Sequence, residues 1–180
     1  ITINIGTKYD LGAQFFIWEI ATVIASHILN INPFDQPNVE SAKILARKMV
    51  AEYMETGKLP KSDFAITSNE SLHAFLANNI KENSYISIQA YLPSTDKTRK
   101  EIELFRTEIR NRYKKATTVG FGPRFLHSTG QLHKGDSGNG IFIQLISSVD
   151  KDLPIPDEAG ASQSRMGFGI LKESQALGDS

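Results

Sequence analysis

Apolar and polar residues recur along the chain with periods that lay out most of its elements. Ile1, Ile3 and Ile5 alternate with Thr2 and Asn4, the period of a half-buried strand, and Gly6 ends the run. A helix is predicted next, with Asp10 as its N-cap. From Leu11 through Phe15, Trp18, Thr22, Ala25 and Leu29 the spacing is three to four, and further apolar residues on its other faces predict a helix covered on most sides. The turn composition of Asn30 to Pro37 leads to a second helix from Gln36, with Asp35 placed to cap it and Val39, Ala42, Ala46, Met49 and Tyr53 along one face. Gly57 and Pro60 end that helix and mark the expected joint of two domains, residues 1–57 and 58–180.

Beyond the joint, a short helix is predicted over Asn69 to Asn79 and a strand over Tyr85 to Tyr91. A charged amphipathic helix over Asp96 to Lys115 turns Ile102, Phe105 and Ile109 inward. Thr117 to Phe121 and Gly140 to Ser147 read as strands, and Met166 to Leu171 as a last strand before a tail around Gln175. Strands alternating with helices predict an α/β fold, a layered helix-sheet-helix sandwich with a largely parallel sheet.

Composition narrows the function classes. Twenty Lys plus Arg balance twenty Asp plus Glu, so no global field draws the chain to nucleic acid or to an anionic membrane. Without cysteine there are no disulfides, thiolate nucleophiles or cysteine metal sites, which suits a reducing cytoplasm. The apolar stretch Phe15 to Leu29 is broken by Glu19 and His27 and falls short of the roughly 20 uninterrupted residues of a bilayer span, so it reads as a buried helix. A chain opening on Ile1 with a strand is expected to be part of something longer. Phe15, Phe16 and Trp18, if uncovered, would then drive association, homo-oligomers included.

Two stretches carry candidate chemistry. On a helix starting near Gln36, Lys43 returns to nearly the same face about two turns down the axis, so that an amide and an ammonium face one cleft. Such a pair suits a polyhydroxylated, phosphorylated substrate: the amide donates and accepts at hydroxyls, and the lysine gives a proton or holds negative charge. A solvated helix face is the bland alternative. The second stretch, Gly120 to Gly140, gathers Arg124, His127, His133 and Lys134 among six glycines directly after a strand. With the hydroxyls of Ser128 and Thr129 these residues are candidates for a phosphate or sugar loop, and the alternative for His127 is to bond the loop's own backbone. The glycine spacing fails both the dinucleotide and the P-loop patterns, and His127 and His133 lack helical metal-pair spacing. No cofactor or metal is called for.

The segment Ser26 to Lys43, SHILNINPFDQPNVESAK, resembles the second signature of the phosphoglucose isomerase family, with Asn38 standing where that family usually has Gly or Ala. The phrases GFGPRFLHSTGQLHKG and GILKESQALGD resemble the extra C-terminal module of the long isomerases joined to transaldolase. The resemblance implies a sugar-isomerase-like fold, with residues 1–57 closing the sugar-isomerase domain. It also implies aldose–ketose isomerisation of a sugar phosphate through a cis-enediol. By the same likeness Lys43 assists ring opening and Gln36 lines the pocket, while the glutamate base, the arginine, the histidine and the phosphate-binding Ser/Thr loop lie upstream. The chain alone is accordingly expected to be inactive, with the rest of the isomerase and transaldolase polypeptide as its partner. An expectation of a different class is a binding module, in which the glycine loop holds a sugar phosphate or docks transaldolase without chemistry.

Overall fold

A computed structural model describes residues 2–35, 37–60, 65–127, 130–147 and 151–178. The chain forms two compact units, residues 1–37 and 38–180. The first contains one long helix, α1 (Lys8–Leu29). Its N-cap is Thr7 and not the expected Asp10. Asp10 sits three residues inside, where its carboxylate accepts from the Thr7 amide at 2.8 Å while the Thr7 hydroxyl accepts from the Asp10 amide, a reciprocal capping box. Asn30, in the left-handed conformation, closes the other end.

Two expectations fail in this unit. Residues 2–6 are irregular and not a strand, because Ile3 and Ile5 find no ladder partner among the described residues and lie exposed. The helix expected to be buried is exposed: among its described residues only Ser26 is buried, while Phe15, Phe16, Trp18, Ile28 and Leu29 are each more than half exposed. Among the described residues the unit holds no second element to cover them. By length and composition alone, α1 is long and apolar enough to cross a membrane.

The second unit begins one residue into α2 (Pro37–Thr56), whose opening proline suits a first turn that has no amide partner to lose. Gly57, at φ +70, follows it, so the expected domain joint falls at the end of α2, inside this unit. Next come α3 (Asn69–Asn79), β1 (Tyr85–Tyr91), α4 (Asp96–Tyr113) and β2 (Thr117–Phe121). A 3-10 turn over Arg124–His127 and α5 (Gly130–Lys134) lead to β3 (Gly140–Ile146). The chain closes with β4 (Pro154–Ile155), β5 (Met166–Gly167) and α6 (Phe168–Gly178).

The main sheet runs β2-β1-β3, all parallel, with Ile86 opposite Thr117 on one side and Ile141 on the other. One of its faces carries Ile86, Ile88, Ala90, Ile141 and Ile143, packed with Leu76 of α3 and with Ile102 and Ile109 of α4. The other face carries Tyr85, Ser87, Gln89, Tyr91 and Gln144, and meets Phe125, α5 and Ala176 of α6. The expected α/β helix-sheet-helix sandwich with a parallel sheet is therefore what the chain forms.

The expected last strand over Met166 to Leu171 is a correction. Only Met166–Gly167 pairs, antiparallel to Pro154–Ile155, and from Phe168 the chain is helical. The cause is the carboxylate of Asp152, which accepts from the amides of Gly169 at 2.6 Å and Ile170 at 3.3 Å and so satisfies the first turn of α6 from far along the chain. A Cβ on Gly167 would lie 2.2 Å from that carboxylate.

Candidate functional site

Lys43 projects from α2 with its side chain about half exposed. Its Nζ lies 3.7 Å from a Glu40 oxygen, and the other Glu40 oxygen is 3.5 Å from Arg47. An exposed pair at this distance holds a side chain only loosely. Gln36 lies outside the described residues, so the pairing of its amide with Lys43 does too.

The glycine stretch divides. Arg124 opens the 3-10 turn just past the end of β2 and is exposed. His127 closes that turn, with its side chain outside the described residues, as Ser128 and Thr129 are altogether. His133 and Lys134 end α5 and are half-buried. Of the six candidates here, the described geometry places His133 in a network of side chains on the sheet.

That network lies on the second face of β1. His133 Nδ1 is 3.0 Å from the Tyr85 hydroxyl, and Nε2 is 3.3 Å from Ser87 Oγ. The Tyr85 hydroxyl donates to Asp136 Oδ2 at 2.8 Å, and the Asp136 carboxylate also accepts from the amides of Gly138 at 2.7 Å and Gly140 at 2.8 Å. Tyr85 stacks on His133 with centroids 5.5 Å apart, and Phe142 meets both rings edge-on.

The electrostatics follow from these contacts. The Tyr85 hydroxyl bond, together with the two glycine amides, holds the Asp136 carboxyl below its usual range against the desolvation that opposes it. Burial, with the Asp136 carboxylate beside it, pushes the Tyr85 phenol up to about 12. Burial also lowers His133, and Asp136 opposes that only in part.

The glycines therefore have a reason other than a phosphate cradle. A Cβ on Gly120 would stand 2.8 Å from the Phe125 ring, and one on Gly122 would stand 2.8 Å from the Tyr91 ring. Gly138 takes a φ of +78, open to glycine at no cost. The amides of Gly138 and Gly140 already hold an anion, the chain's own Asp136 carboxylate. Sequence reasoning missed Tyr85, Ser87 and Asp136. The signal for Asp136 was there in Asp136-Ser137-Gly138, an aspartate whose side chain caps its own turn.

Two cavities open elsewhere in this unit. One of about 500 Å³ is lined by Tyr53, Leu59, Pro60, Ile146, Ile170 and Leu177 with Gly57, Lys58 and Glu173. A smaller one, about 210 Å³, is lined by Tyr53, Ile170 and residues between Asp152 and Gly167. Neither includes a candidate residue. Among the described residues no three His, Asp or Glu side chains converge as a metal site requires.

Compared with known proteins, the chain is similar to a glucose-6-phosphate isomerase from Plasmodium falciparum, with 35% identity over 68 residues. The likeness covers 38% of this chain and 12% of that protein, so the chain spans only a small part of the relative's length. It supports an isomerase relationship. No family model and no solved structure matches the chain.

Proposed function

We propose that this chain supplies the C-terminal part of a glucose-6-phosphate isomerase, within a longer polypeptide that also carries a transaldolase in a reducing cytoplasm. That polypeptide interconverts glucose 6-phosphate and fructose 6-phosphate by moving a proton between C1 and C2 through a cis-enediol. The partial likeness to the plasmodial isomerase carries the reading. Two features of the chain are in keeping with it. The Lys43 ammonium, held among the described residues by an exposed pair with Glu40, can leave that carboxylate for a sugar ring oxygen at little cost. The uncovered apolar side chains of α1 fit a helix that the remainder of the polypeptide covers.

In this reading Lys43 gives a proton or positive charge to the opening ring, Gln36 binds sugar hydroxyls, and the base that works at C1 and C2 comes from the upstream chain. Lys43→Ala in the longer polypeptide is expected to lower kcat about 10²- to 10⁴-fold, the usual loss for a general acid. An unchanged turnover number removes Lys43 from the mechanism.

A second reading, a non-catalytic module that binds a sugar phosphate or docks transaldolase, rests on Arg124. Arg124 is exposed and follows the C-terminal end of β2, the edge where parallel sheets receive ligands. Fructose 6-phosphate added to the 180-residue chain is then expected to shift amide resonances near Arg124, and Arg124→Ala to abolish the shift. Silence in the unmodified chain disposes of the sugar-phosphate form of this reading.

A further inference from the structure

With a neutral imidazole, the network on the second face of the sheet has one consistent placement of its hydrogens. Asp136 is ionised and can only accept, so the one Tyr85 hydroxyl proton points at its Oδ2. The Tyr85 oxygen must therefore accept from His133, which puts a hydrogen on Nδ1. Nε2 is then bare and accepts from the hydroxyl of Ser87, itself 2% exposed. The chain of bonds runs one way, from Ser87 through His133 and Tyr85 to Asp136, and every link is satisfied by a neutral imidazole of one tautomer.

We infer that His133 in this neutral form is the pin of a proton-sensitive latch, which holds residues 130–140 against the polar face of the sheet and releases them as the imidazole takes up a proton. The two anchor points of the latch straddle the segment, His133 at the end of α5 and Asp136 in the turn before β3, and both reach β1 through Tyr85. A second proton on Nε2 removes the acceptor for Ser87, whose hydroxyl must turn its hydrogen toward a protein interior. The stacked Tyr85 and edge-on Phe142 then enclose a cation where they had enclosed a neutral ring.

Among the described residues, the titratable groups facing His133 are Tyr85 and Asp136. Tyr85 stays neutral far above physiological pH, and among the described residues Asp136 is the charge that favours the imidazolium. Burial outweighs it, so the latched imidazole lies below its ordinary 6.5 and the released chain takes up the proton first. The contribution of the latch is accordingly whole above about pH 6.5 and drains as pH falls from there through the latched value. The contribution of Asp136 is lost only as pH falls below its ordinary 3.8, a separate window. The inference is independent of the isomerase reading.

Amide hydrogen exchange on the 180-residue chain tests it, corrected for the intrinsic pH dependence of exchange and referenced to α4. Between about pH 7.5 and about pH 5, protection over residues 131–140 is expected to fall, up to about tenfold for each unit separating the two imidazole pKa values. His133→Asn keeps a donor toward Tyr85 and cannot titrate, so its protection is expected to be flat over the same range. The inference is overturned if His133 titrates while protection of the segment holds, or if His133→Asn shows the same fall. Should that variant not fold, the ¹⁵N spectrum of the unmodified imidazole near pH 7.5 decides: a hydrogen on Nδ1 upholds the latch, and one on Nε2 alone, or an imidazolium, refutes it.

Discussion

The two faces of the three-stranded sheet are both covered, but by different physics. On one, Ile86, Ile88 and Ala90 meet Ile141, Ile143 and the apolar stripes of α3 and α4. On the other, a hydrogen-bond chain ties Tyr85 and Ser87 to α5 and the turn after it, beside a small apolar cluster of Tyr91, Phe125 and Ala176 with close glycine contacts. The first face tolerates any side chains of the right volume and shape, since dispersion and water exclusion have no direction. The hydrogen-bonded part of the second works only with named donors and acceptors, because a buried polar group left without its partner costs more than a made bond returns. Nearly continuous burial of β1 hides this difference.

Substitutions on the two faces should separate these contributions. Ile88→Ala, at a side chain with no exposure, empties volume in the apolar face and is expected to cost about 2–5 kcal/mol by urea unfolding at any pH between about 5 and about 8. A cost below about 1 kcal/mol would mean that this face repacks freely. Gly120→Ala forces a methyl into the Phe125 ring on the second face and is expected to cost about 1–3 kcal/mol, with Phe125→Leu in the same chain restoring part of it. Additive losses would show that the contact is not the cause. Tyr85→Phe is the smallest change, one oxygen, and is expected to cost about 1 kcal/mol near pH 7.5 and less near pH 5, where the latch has already loosened. A cost that does not vary with pH would separate Tyr85 from His133.

The apolar face was legible in the sequence, since Ile102, Phe105 and Ile109 recur at helical spacing and β1, β2 and β3 read as strands. The polar face was legible only as a loop full of glycine, arginine and histidine. Its partners come from two stretches more than forty residues apart, so no local pattern could join Tyr85 and Ser87 to His133 and Asp136. The same limit explains α6. Residues 166–171 carry a strand's apolar run, and what makes most of them helical is a carboxylate at Asp152. The failure at residues 2–6 and at α1 has another origin. Alternation and apolar spacing report what an element would do with a neighbour, and among the described residues the first unit contains no neighbouring element. Of the candidate residues, Lys43 was foreseen on a helix and lies on one, whereas Gln36 falls outside the described residues.

In the order β2-β1-β3 every ladder bond of the main sheet involves β1, because the outer strands touch it and not each other. Neither outer strand can nucleate a sheet by itself, and both must travel back along the chain to a partner already laid down. Each pairing closes a loop of many residues before any bond rewards it, a slow route compared with neighbouring hairpins. As the polypeptide emerges from synthesis, β1 must therefore wait with both rims open until β2 and then β3 are made, and that interval is when this sequence is most exposed to mispairing.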